Sequence, residues 1–199
     1  MNNIEKAKQI NLTSGFIISL FLTVTNPTIH VYMIQSISTE FYKVIEFLNN
    51  FLGLSIFFLI DKKDENGFPV FLYSLRKYFV LIIIIGTSLF VLSNFLGLYD
   101  TRIRFVMLAI IEGTSSLIWG TIIGDLFNQV IHNTDLSLYF NKAGKYDKVG
   151  SIIGAFLMLI VDLNIEIVLG IQCLIYIYMA YCDIRIYNLL TKEIKDYIK

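Results

Sequence analysis

Hydrophobic positions along this chain fall into six long stretches, at residues 12–34, 44–60, 78–98, 103–123, 143–161 and 165–182, separated by polar segments. A helix needs ~20 mainly apolar residues to cross a bilayer, so the pattern predicts six transmembrane helices. The fifth stretch is the shortest uninterrupted run. Leu136, Tyr139, Phe140 and Ala143 carry helical spacing into it and extend it toward the N-terminus. The first stretch follows Lys6 and Lys8 but is longer than a signal-peptide core and lacks a small-x-small cleavage site, so it is expected to stay attached. Beyond the sixth, residues 183–199 alternate charges with Ile186, Leu189, Leu190, Ile194, Tyr197 and Ile198. This spacing predicts an amphipathic cytoplasmic tail lying on the membrane surface.

Composition agrees with the pattern. The 199 residues are 56% hydrophobic and 16% charged, with a mean hydropathy of +0.67, far too apolar for an ordinary soluble domain. Six spans take ~120 residues and leave ~80 for loops and termini. The expected fold class is therefore an all-α polytopic membrane protein, a single six-helix transmembrane domain in the cell membrane. Sixteen basic and sixteen acidic residues cancel, and nothing in that balance points to nucleic acid as a partner. Where the charges fall is more informative. With the N-terminus inside, only Lys43, Arg102 and Arg104 of the 16 Lys and Arg lie on the outer side. Basic loops are retained in the cytoplasm, so both termini are expected there. Cys173 and Cys182 lie nine apart along one apolar segment, a spacing that disfavours a disulfide between them.

Two glycine pairs suggest where helices approach. Gly120-x-x-x-Gly124 in the fourth stretch and Gly150-x-x-x-Gly154 in the fifth each put small residues on one helix face. There two backbones can gain van der Waals contact that lipid does not supply. Both pairs fall in the cytoplasmic half, and the expectation is that spans four and five pack together, antiparallel, through them.

Glu112 is the most informative polar residue. It lies about nine residues into the fourth span, about 13 Å along a helix, near mid-membrane. A carboxyl there costs at least a few kcal/mol unless it is protonated, paired or facing water. Ser115, Ser116 and Trp119 follow at i+3, i+4 and i+7 and make one mixed polar and aromatic face. The residues suit a proton or cation site, or a structural carboxyl bonded to a neighbouring helix. In the first span Asn26 and His30 flank Pro27 in a polar segment expected to kink, because proline removes a backbone donor. Glu46 and Asn50, with Asn49, form a polar patch in the outer half of the second span. At the inner surface Asp61 and Lys62 end the second span and Asp125 ends the fourth, where an ion pair with Lys145 or Lys148 could set how two helices meet.

Motifs for metalloprotease, redox, nucleotide and hydrolase chemistry are absent from the sequence, so neither a metal nor a cofactor is expected. Gly113-Thr114-Ser115-Ser116 resembles the nucleophile segment of rhomboid-type intramembrane proteases. That mechanism needs a histidine base from the sixth span, and residues 165–182 contain none. No enzymatic activity is expected.

Taken together, four features resemble the N-terminal six-helix half of a major facilitator superfamily transporter. They are the proline-broken first span, the Glu46-containing second span ending in Asp61-Lys62-Lys63, the run from Glu112 through Gly124-Asp125-Leu126, and Gly144-Lys145-Tyr146-Asp147-Lys148-Val149-Gly150-Ser151. The resemblance covers nearly the whole chain. It implies a small-solute transporter or transporter-like subunit, with proton coupling through Glu112, Trp119 and Asn26 lining a cavity, and Asp61, Lys62 and Asp125 in the inner-loop coupling region. A full transporter has two such halves, so the resemblance also implies a homodimer or a partner half. The family's Gly-x-x-x-Asp-Arg-x-Gly-Arg-Arg loop is not kept here: Phe57 stands four before Asp61, and Lys63, Asp64 and Glu65 follow Lys62. That departure keeps open a second expectation, a non-transporting membrane interaction protein such as an immunity or regulatory subunit.

Overall fold

The computed structural model describes residues 2–60, 70–97, 101–117, 123–131, 133–161 and 163–197. Every regular element among them is an α-helix: α1 (Asn3–Ser36), α2 (Thr39–Ile60), α3 (Val70–Leu96), α4 (Thr101–Leu117), α5 (Gly124–Val130), α6 (Asn133–Ile160) and α7 (Ile165–Tyr197). Asp61, Lys62, Trp119 and Gly120 lie outside the described residues, as does the side chain of Ser116. Local chemistry sets several helix ends. Asn2 Oδ1 accepts from the Glu5 amide at 2.8 Å, Ser38 Oγ from the Phe41 amide at 3.1 Å, and Asn164 Oδ1 from the Glu166 amide at 2.9 Å. Each side chain satisfies an amide that the first helical turn leaves without a partner. α3 ends at Gly97, whose φ of 62° is the left-handed conformation that closes a helix at little cost for glycine.

The chain divides into two compact units, Met1–Ile29 with Ile123–Lys199, and His30–Ile122. In the first unit, α6 lies against the N-terminal part of α1 with the backbones in direct approach. A Cβ on Gly150 would collide with the Phe16 carbonyl oxygen, and one on Gly154 with that of Leu20. Gly15 on α1 reciprocates, since a Cβ there would collide with the Asp147 carboxylate. Asn11 Nδ2 donates to the Tyr139 hydroxyl at 2.6 Å. These contacts ascend both helices together, so α1 and α6 run parallel. α7 meets α1 in the opposite sense, with Ser14 beside Cys182 and Thr25 bonded to Gln172. The short α5 packs on α6 and α7, burying Leu126 and Phe127.

This geometry corrects the expected partner of the glycine pair on α6. Gly150 and Gly154 face α1, and among the described residues nothing approaches within 4 Å of a Cβ on Gly124. Spacing identifies a face that permits close approach, but it does not identify which helix takes it. Of the fourth apolar stretch, the residues up to Leu117 lie in α4 and α5 begins at Gly124, with residues 118–122 outside the described ones. The segment from residue 183 continues α7 to Tyr197. Asp183, Ile186 and Leu190 along it are all buried. Cys173 and Cys182 are buried free thiols.

In the second unit α4 packs against both α2 and α3. A Cβ on Gly86 of α3 would stand 3.0 Å from the Ile111 side chain of α4, and Arg104 Nη2 donates to the Ser93 carbonyl at 3.4 Å. The pairs 86 with 111 and 93 with 104 make α3 and α4 antiparallel. Ile83, Phe90, Phe105, Leu108, Ala109 and Ile111 form the core of this unit.

Among the described residues, two helical stretches, Asn3–Ser36 and Ile165–Lys192, are long and apolar enough to cross a membrane, and Val80–Ser93 is a shorter apolar part of α3. Large apolar side chains are also exposed on helices outside the two long stretches. On α6, Ile152 is 69% exposed, Phe156 61% and Leu159 84%.

Substitution at the α1–α6 contact tests its importance. Gly150→Leu and Gly154→Leu are each expected to destabilise the protein by roughly 2 kcal/mol or more, because the obstructing atoms are backbone. Gly144→Ala and Gly170→Ala, where an added Cβ meets nothing within 4 Å, are expected to be neutral or slightly stabilising. Thermal unfolding in detergent measures the difference, and equal melting temperatures across the four variants would contradict it.

Candidate functional site

A short connection through Ile37 and Ser38 folds α2 back against the end of α1, so residues descending α1 meet residues ascending α2. His30 consequently faces Tyr42 and Glu46, which sit one helical turn apart on the same face of α2. His30 Nε2 lies 3.6 Å from Glu46 Oε1. The His30 and Tyr42 rings meet edge-on, 5.3 Å between centroids at 62°. Tyr42 also lies close enough to the Glu46 carboxylate to interact with it electrostatically. Packing of α4 on α2 then brings Glu112 close enough to feel the charge of Glu46. All four groups belong to the unit spanning His30–Ile122.

Chemically this is an imidazole and two carboxyls on three helices, with a phenol beside one carboxyl. Burial, and then the neighbouring Glu46 carboxylate, push the Tyr42 phenol above its ordinary range, so Tyr42 stays a neutral polar group beside Glu46. The His30 and Glu46 side chains are 38% and 37% exposed, whereas Glu112 is mostly covered. Such a set can hold a proton at an imidazole or a carboxyl and can pair histidine with carboxylate when the imidazole is charged.

The other expected site residues are distributed elsewhere. Asn50 is one turn beyond Glu46 and donates to the Glu46 backbone carbonyl at 2.8 Å. Ser115 is buried and returns its hydroxyl to the Ile111 carbonyl at 2.8 Å, so its oxygen serves its own helix. Asp125 accepts from Gln129 Nε2 at 2.8 Å.

Asn26 belongs to the other unit, where it joins a buried network absent from the sequence reading. Gln172 of α7 donates from Nε2 to Asn26 Oδ1 at 3.0 Å and to the Tyr176 hydroxyl at 2.7 Å. Its Oε1 accepts from the Thr25 hydroxyl. Thr25 and Gln172 are essentially inaccessible, so each bond avoids the cost of a buried polar group without a partner. The segment around Pro27 remains inside one continuous helix. Thr23 and Thr28 return their hydroxyls to carbonyls one turn back, while Thr25 and the Asn26 side chain reach across to α7.

Two members of these clusters were legible in principle. Tyr42 stands four residues before Glu46, and a single glutamine interrupts the apolar sixth stretch at Gln172. The first signal is a shared helix face. The second is a buried amide that must find a partner on another helix.

Comparison of the chain with protein-family models, with curated proteins and with solved structures finds no match.

The Gln172 network predicts a stability effect. Gln172→Leu removes the partner of Asn26 and is expected to cost ~1–3 kcal/mol, read as a lower melting temperature in detergent. An unchanged melting temperature would show that the network adds nothing to stability.

Proposed function

We propose that this chain is a multi-pass cell-membrane protein, six spans with both termini cytoplasmic, acting as a half-size transporter or transporter-like subunit for a small solute. The observation that carries the reading is the grouping of His30, Tyr42, Glu46 and Glu112 on three helices. An ionisable group within an apolar helix is expensive and is found where protons, ions or substrates move. In this reading His30, Glu46 and Glu112 exchange a proton, and Tyr42 holds Glu46 in position.

Two further observations support membrane insertion. The apolar faces of α3 and α6 are exposed, and in water such faces would drive association; hydrocarbon covers them without cost. The directions within each unit also suit a chain that alternates across a bilayer. Spans one and five would both run outward, consistent with parallel α1 and α6, and span six would return, consistent with antiparallel α7.

The resemblance to half of a major facilitator transporter makes a homodimer, or assembly with a second half, part of the proposal. A non-transporting immunity or regulatory subunit is the second reading, favoured by the altered Asp61-Lys62-Lys63-Asp64-Glu65 segment.

Reconstitution separates the two. Proteoliposomes with an internal pH-sensitive dye, challenged with a panel of small solutes, are expected to show solute-dependent proton movement. Glu112→Gln is expected to reduce it to the level of empty liposomes, while Lys142→Ala, at an exposed position, leaves it intact. Retained proton movement in Glu112→Gln would remove the role given to that carboxyl. Failure of the wild-type protein to move any solute would favour the second reading.

A further inference from the structure

Between the N-terminal turns of α1 and the C-terminal half of α7 lies a groove of about 400 Å³ within a single unit. Its charged lining residues are Lys6 and Arg185, and among the described residues no acidic side chain lines it. Of their acidic sequence neighbours, Glu5 beside Lys6 is engaged by Lys8 at 3.0 Å, and Asp183 near Arg185 is buried and does not line the groove. Gln9 and Thr13 add neutral hydrogen-bonding groups, and Ile10 and Leu189 supply apolar wall. Arg185 is held in place: its Nη1 donates to the Tyr181 hydroxyl at 2.8 Å, with the guanidinium 5.7 Å from the Tyr181 ring centroid. That bond uses one of the five guanidinium donors and leaves others for a ligand.

From this arrangement we infer that the groove is a binding site for an anionic phospholipid, with its phosphate between Lys6 and Arg185 and an acyl chain along Ile10 and Leu189. The inference rests on the membrane reading above, which places the start of α1 and the end of α7 at the cytoplasmic surface. Both cations can reach headgroup depth there while their stems lie against apolar wall. Basic pockets between helices on the cytoplasmic side are suited to acidic headgroups. A free phosphate would use the same two cations but gain nothing from the apolar wall, so the lipid is the occupant that matches both halves of the groove.

The test uses the full-length protein in nanodiscs, either of pure phosphatidylcholine or with phosphatidylglycerol added, and measures lipid retained after transfer to detergent by native mass spectrometry. Each basic side chain near an anionic headgroup contributes roughly fivefold. Phosphatidylglycerol should therefore be enriched about 25-fold over phosphatidylcholine in the wild type, and the enrichment should disappear in Lys6→Gln/Arg185→Gln. Lys6→Arg/Arg185→Lys, which keeps both charges, should retain most of it. Inorganic phosphate, added as a competitor at the same concentration, should not displace the lipid. Equal retention of the two lipids, enrichment unaffected by the glutamine pair, or displacement by inorganic phosphate would each overturn the proposal. Resistance of the protein to carbonate extraction is scored separately. An extractable protein refutes the membrane reading, whereas an inextractable one without lipid preference refutes only this site.

Discussion

The unit formed by α1, α5, α6 and α7 depends on two glycines one turn apart. Gly150 and Gly154 let the backbone of α6 lie directly against that of α1 at Phe16 and Leu20, and Gly15 makes the reciprocal space for Asp147. Dispersion falls off steeply with separation, so contact between backbones is worth far more than contact through long side chains. Once α1 and α6 are parallel and in register, the positions at which α1 meets other partners are set. Asn11 reaches Tyr139, and the opposite flank of α1 meets α7 at Ser14 and Thr25.

Polar residues in this chain follow two different rules. Those in the buried network of Thr25, Asn26, Gln172 and Tyr176 are paired among themselves, which is how an apolar interior accommodates amides and hydroxyls. His30 and Glu46 instead remain more than a third exposed and are separated by 3.6 Å. Side chains that keep contact with the surroundings need no internal partner for every polar atom, whereas a fully enclosed amide or hydroxyl does. The same distinction separates Ser115, whose hydroxyl is returned to its own helix, from Glu112, whose carboxyl lies in the field of Glu46.

Helices were the most legible part of this protein. Each long apolar stretch in the sequence lies wholly or largely within one helix, because runs of leucine, isoleucine and phenylalanine over many turns leave few other ways to satisfy the backbone. Their ends were less legible. The sixth apolar stretch closes at Cys182, whereas α7 continues to Tyr197. Hydropathy reports what surrounds a segment more directly than where its hydrogen-bond ladder stops. Within the candidate site, His30, Glu46 and Glu112 stood out because ionisable groups in apolar runs are rare. Tyr42 did not, because an aromatic residue at the start of an apolar helix is ordinary.

The sequence by itself determined that the chain is helical, that its helices are unusually apolar, and that a small set of histidine, carboxylate and amide side chains sits among them. It also marked the glycine face of α6. Only the tertiary structure decided that this face meets α1, that Gln172 joins Thr25 to Asn26, and that His30 shares Glu46 with Tyr42. The reason is physical. Composition and periodicity fix what one helix face can tolerate, but many faces in an apolar chain tolerate the same neighbours. The choice among them comes from simultaneous packing of several helices, which no single segment encodes.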